Sequence, residues 1–141
     1  MSTDANTALI QDAYADFQKG DIASLLDRLT DDVVWTTPYP PEIVPHGGSR
    51  TGKDGVQLFF EQLARGYEIT KFDPREFISS GDYVVALVTI AGHARETGVA
   101  AAEDTAHVFR IRNGKVSEFR EYADARSIVA AYAAQAVQAR A

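Results

Sequence analysis

Residues 103–124, EDTAHVFRIRNGKVSEFREYAD, decide the fold. Asn113-Gly114 lies between two alternating runs, and both residues tolerate positive φ, so the stretch predicts a hairpin of two strands. On the first arm Val108, Arg110 and Arg112 share one face, with His107, Phe109 and Ile111 on the other. On the second arm Glu118, Arg120 and Tyr122 lie opposite Ser117, Phe119, Glu121 and Ala123. A half-buried antiparallel sheet turns its apolar face inward, so Phe109, Ile111 and Phe119 enter the core. His107 and Glu121 go in with them, on adjacent strands.

A carboxylate and an imidazole facing an apolar interior are costly unless paired or hydrated. Titratable groups in that situation are common at functional sites, and structural ion pairs also produce it. Two readings follow. His107 and Glu121 are a structural pair bonded to each other or to the backbone, or they are a catalytic pair lining a pocket.

Downstream, Asp124 closes the second arm and precedes a helical pattern over 125–137, which the Ala-rich residues 130–141 extend. Asp124 suits a helix N-cap, and alternatively a carboxylate at a pocket rim.

Upstream, a strand reads over Tyr83–Arg95 and another over Ile69–Ser79, the second interrupted at Asp73-Pro74 as a bulge or edge. Residues 97–102 read as a soft loop. Lys53–Arg65 predicts a helix burying Val56, Phe59, Phe60 and Leu63. Residues 38–52, with four prolines and three glycines across TPYPPEIVPHGGSRTG, predict a loop without regular structure, of a kind often used as a lid. His46 in this loop and His93 near a strand end are expected on the surface. Val33–Thr37 is a short strand in which Val33, Trp35 and Thr37 share a face. Trp35 is core packing or a pocket wall. Residues 4–19 form a first helix with Leu9, Ile10, Ala13, Tyr14 and Phe17 on one stripe, capped by Thr3 or Asp4 and stopped by Gly20. Tyr14 is a core residue or a hydroxyl donor over a pocket. Asp21 caps a second helix that buries Ile22, Leu25, Leu26 and Leu29.

The 141 residues, 45% apolar, suffice for one domain with a real core. There is no cysteine, so disulfides and thiolate chemistry are excluded. A net charge of −6 with scattered Lys and Arg argues against nucleic acid. No run is long and apolar enough to span a bilayer, and no secretory pattern opens the chain, so a cytoplasmic protein is expected. No HxH, HExxH or His-carboxylate cluster surrounds the histidines, and the glycines form neither GxGxxG nor a P-loop. Neither a metal nor an organic cofactor is expected. Helices segregated to one face of a sheet of long antiparallel strands predict an α+β fold with a conical cavity between the layers.

The order of elements resembles the nuclear transport factor 2-like superfamily, in particular its SnoaL-like polyketide cyclase and ketosteroid-isomerase-like branch. The matching pieces are YADFQKGDIASLLDRLTDDVVWTTP, the helix with TGKDGVQLFF, and HVFRIRNGKVSEFREYAD. The resemblance implies one SnoaL-like domain over 1–141, with N-terminal helices packed on a strongly curved, mostly antiparallel sheet. It also implies a homodimer paired through the sheet. The family's cone hosts hydration, isomerisation, cyclisation and plain binding. In ketosteroid isomerases the general-base aspartate falls opposite Thr37, the oxyanion tyrosine opposite Ala13, beside Tyr14, and the second oxyanion donor opposite His107. The acidic catalytic residue of limonene-epoxide-hydrolase-like and SnoaL-like enzymes falls on Glu121. The arginine and second aspartate of the epoxide hydrolases fall opposite Thr105 and His107.

The resemblance and the inward pair together predict an enzyme that transfers a proton α to the carbonyl of a small apolar compound. Glu121, its pKa raised by apolar surroundings, is the expected base, and His107 the group that stabilises the enolate or returns the proton. Tyr14, Trp35, Thr37, Phe59, Phe109, Phe119 and Asp124 are the expected pocket residues. The alternatives are a non-catalytic binding or dimerisation module, for which Val108 and Tyr122 offer an outer surface, and an epoxide hydrolase.

Overall fold

The computed structural model describes residues 3–138. The elements run α1 (Thr3–Lys19), α2 (Ile22–Asp27), β1 (Leu29–Thr37), β2 (Gly48–Thr51), α3 (Gly52–Gly66), β3 (Tyr67–Ser80), β4 (Tyr83–Ala94), β5 (Ala100–Arg112), β6 (Lys115–Tyr122) and α4 (Arg126–Gln138). The strands form one curled mixed sheet in the order β2-β1-β6-β5-β4-β3. β1 and β6 are parallel and every other pair is antiparallel. This is the α+β cone that the hairpin predicted.

The hairpin turns at Asn113 and Gly114, with φ of 52° and 77°, the left-handed pair that a two-residue turn demands. Its register sets His107 opposite Glu121 and Phe109 opposite Phe119. Side chains alternate across a strand, so all four share the inner face. β4 supplies Val84, Ala86 and Val88 to the same face, each without solvent exposure. Pro74, which has no N–H to donate, sits on edge strand β3 beside a register shift.

The helices close the cone. α1 buries Ile10, Ala13 and Tyr14, and α3 buries Val56, Phe59 and Phe60. Asp21 caps α2 by accepting the Ser24 N–H at 3.1 Å. α4 lies at the far end, where Ile128 and Ala131 pack with Tyr39, Val44, Tyr67, Ala94 and Ala101 in a second apolar cluster.

Three expectations are corrected. The segment 38–52 is not wholly irregular: Gly48–Thr51 forms β2 on the free edge of β1, with Trp35 opposite Arg50. The reversal that allows this passes through Gly47, where a Cβ would lie 2.1 Å from the Tyr39 carbonyl oxygen. Residues 97–102 are only partly loop, since Ala100–Ala102 pair with Ala91–His93 of β4. β1 starts at Leu29, four residues before Val33, because Leu29 already pairs with Val116. The helical reading of 130–141 holds through Gln138, and its last three residues lie outside the described residues.

Candidate active site in the cone

A cavity of about 100 Å³ lies between α1, α3 and the inner face of the sheet. Its wall is mostly aromatic and aliphatic. Trp35 stacks on Phe119 with ring centroids 4.2 Å apart, and Phe59 meets Trp35 at 5.7 Å. The half-buried Phe17, Leu63, Ile69, Phe72 and Ile90 also line it, which places the mouth between α1, α3 and β3–β4. In the same measure a water needs roughly 10–15 Å³, so a small organic ring fits.

The polar groups are few and concentrated on one side. The Tyr14 hydroxyl is 2.8 Å from His107 Nδ1. His107 Nε2 is 3.1 Å from Glu121 Oε2. That oxygen also accepts the Thr105 hydroxyl at 3.1 Å. Nε2–H donates to Glu121, and Nδ1 either accepts the Tyr14 proton or, itself protonated, donates to the Tyr14 oxygen and leaves that O–H for the cavity, so a continuous hydrogen-bonded chain runs from the Glu121 carboxylate to a phenol at the cavity. Burial and the charge of Glu121 push the Tyr14 pKa far up, which keeps the hydroxyl protonated.

Glu121 departs from expectation. Burial does act to raise its pKa, but hydrogen bonds from His107, Tyr39 and Thr105, with the charge of His107, outweigh it. The carboxyl is held below the ordinary range, because donors converge on the charged form.

A second carboxyl has the raised pKa expected of Glu121. Glu103, on the same face of β5 as Thr105 and His107, lines the cavity. Burial, then the charge of Glu121, raises its pKa to about 7, against the opposing effect of the Tyr39 bond. Tyr39 donates to Glu103 Oε1 at 2.6 Å. Glu103 Oε2 is buried and bonded to no protein group. His46 lines the same wall, 4% exposed. Its burial lowers the pKa to about 4, so the ring is neutral at pH 7, and its Nδ1 has no protein partner.

Of the expected site residues, Tyr14, Trp35, Thr37, Phe59, His107, Phe109, Phe119 and Glu121 all line the cavity. Thr37 is buried there and donates to the His46 carbonyl at 3.2 Å. Asp124 does not belong with them. It is exposed, accepts the Arg126 N–H at 3.0 Å and pairs with the Arg126 guanidinium, so it serves the start of α4. His46 is corrected from surface to cavity wall, because the Gly47-Gly48 reversal folds residues 39–47 inward over β1. His93 is one-third exposed and bonds Glu68 at 2.9 Å. Glu103 and Tyr39 were not anticipated as site residues. Stepping back by two from His107 reaches Thr105 and then Glu103, so alternation marks Glu103 once the strand is known to begin before it. Among the described residues no cluster of His, Asp and Glu could hold a metal.

The SnoaL-like domain family matches residues 10–119. The chain therefore belongs to the SnoaL-like family of the nuclear transport factor 2-like superfamily. Among solved structures, an NTF2-like protein of Burkholderia xenovorans LB400 is 26% identical, with a TM-score of 0.86 over 94% of this chain and 98% of that one. An NTF2-like protein of unknown function from Burkholderia pseudomallei K96243 is 29% identical, with a TM-score of 0.83 and the same coverage, 94% and 98%. TerC, co-crystallised with polyporic acid, is 28% identical, with a TM-score of 0.80 over 91% and 98%. No curated protein matches the chain. No helix among the described residues is long and apolar enough to cross a membrane.

Proposed function

We propose that this protein is a SnoaL-like enzyme that transfers protons on a small, largely apolar carbonyl compound, in isomerase- or cyclase-type chemistry. The observation that carries this is the Tyr14–His107–Glu121 chain, 2.8 and 3.1 Å in its two links, set in the wall of an otherwise apolar cavity. A hydrogen-bonded chain in a dry wall is worth most where charge develops on the ligand. Tyr14 donates to the ligand oxygen as an enolate forms. For that donation His107 carries a proton on each nitrogen, Nδ1–H donating to the Tyr14 oxygen and Nε2–H to Glu121, which orients the ring and stabilises the imidazolium. Glu121 is thus a positioning residue behind His107. The cavity favours this over a purely structural pair, because the bonded pair has open space in front of it. The relative crystallised with polyporic acid supports a cone that admits an organic molecule.

Binding of phenols graded by acidity tests the oxygen end, since a phenolate mimics an enolate oxygen. In wild type, affinity is expected to rise with phenol acidity, and in His107→Ala the trend is expected to flatten. Affinity that follows only hydrophobicity in both proteins rejects the reading and leaves a passive binding cone.

A further inference from the structure

The proton-transfer reading leaves one reacting group unassigned, the base that takes the carbon-bound proton. Glu121 is poorly placed for it. Oε2 already accepts two hydrogen bonds, from Thr105 and His107. Glu103 differs in the feature that matters. Its side chain lines the cavity, its Oε1 is fixed by Tyr39 at 2.6 Å, and its Oε2 is buried with no protein donor. One oxygen held and one bare is the arrangement a carboxylate base needs, since the bond to Tyr39 orients the group without consuming the reacting atom. An unpartnered buried carboxylate oxygen is otherwise costly.

We infer that Glu103 is the general base of this site, and that the substrate is an enolisable ketone or enone whose carbonyl sits on Tyr14 while an acidic C–H faces Glu103 Oε2. This rests on the proton-transfer reading and goes beyond it. In the step proposed, the C–H bond breaks and its proton passes to Oε2. The electron pair moves through the π-system to the carbonyl oxygen, where Tyr14, backed by His107, receives the charge. Return of the proton to a conjugated carbon completes an isomerisation, and return to the same carbon completes an exchange, with Glu103 regenerated in either case.

Near-neutral proton affinity suits an acid–base group that must give back what it takes. Burial sets it first, the charges of Glu121 on β6 and Asp124 beyond it raise it further, and the bond from Tyr39 before β2 opposes them, while Tyr67 on β3 is a titratable neighbour.

Hydrogen–deuterium exchange into 2-cyclohexenone, followed by NMR in D₂O, tests the inference without the natural substrate. Wild type is expected to accelerate exchange over buffer, with a rate that rises through about pH 7. Glu103→Gln is expected to lower the accelerated rate by at least about 10²-fold, the lower end of general-base catalysis. Glu121→Gln is expected to retain part of the rate, with the midpoint of the pH profile moved down, because the charge of Glu121 holds the Glu103 pKa up. Full exchange in Glu103→Gln, an unmoved midpoint in Glu121→Gln, or no exchange by wild type each overturns the assignment. If the acidity trend with phenols survives while exchange fails, Glu103 falls and the oxygen end stands. If both fail, the proton-transfer reading falls with it.

Discussion

At the scale of single residues, the site is decided by which carboxyl is saturated and which is bare. Glu121 and Glu103 share one face of adjacent strands and one cavity, yet their proton affinities diverge. Several donors hold Glu121 low, whereas burial and the neighbouring charge lift Glu103 to about 7 from an ordinary 4.5. The lift has a consequence for stability. A folded pKa above the unfolded one means that stability is fully present below about 4.5 and is lost as pH rises through about 7. Glu103→Gln removes that loss. The variant is expected to match wild type near pH 4 and to exceed it at pH 8, by on the order of 1 kcal/mol after allowance for partial solvent screening. Urea denaturation at the two pH values measures it, and a wild type more stable than the variant at pH 8 contradicts the raised pKa. His107 and Glu121 were legible in the sequence because period-two alternation needs only the strand. Glu103 obeys the same alternation but stands first in the stretch 103–124, and the weak β-propensity of Ala100–Ala102 concealed the strand start before it, so it reads as a strand end and not as an inward position. His46 had no local signal. Nothing between Pro38 and Gly47 has a period, and its burial depends on where the loop returns.

At the scale of elements, the segment from Tyr39 to Gly47 is the piece most exposed to a single change. It carries Tyr39 and His46 to the cavity and packs Val44, fully buried, against the α4 end. The return rests on Gly47, where the backbone passes Tyr39 so closely that a methyl group would overlap its carbonyl. Gly47→Ala is expected to cost about 2–4 kcal/mol through forced backbone displacement. It should also detach Tyr39 from Glu103 and let solvent reach the carboxyl, and because burial outweighs the opposing Tyr39 bond the Glu103 pKa is expected to fall. Guanidinium denaturation and the midpoint of the exchange profile report the two effects. An unchanged denaturation midpoint would show that the loop has another way round. In sequence this segment reads as a loop. Its reading as wholly irregular missed β2, because Gly48–Thr51 carries no strand pattern of its own and is recruited by the open edge of β1.

At the scale of the whole molecule, the outer face of the sheet is unlike the inner one. Val34, Ile78, Tyr83 and Tyr122 are exposed there at 36–57%. They are interleaved with Arg110, Arg112, Glu118 and Arg120. Arg110 lies over the Tyr83 ring, 5.5 Å from its centroid. A homodimer through this face is expected, with charges of both signs available for cross-subunit pairs. Light scattering after size exclusion should return twice the 15.4 kDa of one chain. Tyr122→Glu, at the most exposed of these apolar positions, should shift the protein toward monomer. A monomeric wild type at working concentration would reject this.

The sequence by itself determined the hairpin, its inward face, the order of helices and strands and the pairing of His107 with Glu121. Each of these follows from backbone periodicity and turn chemistry, which act over a few residues. The tertiary structure alone decided that Tyr14 completes a chain through His107, that Tyr39 and His46 join the cavity, and that Glu103 keeps a bare oxygen while Glu121 does not. Those facts depend on contacts between residues as much as 93 positions apart, and on the solvent and charge around each group, which no local pattern encodes.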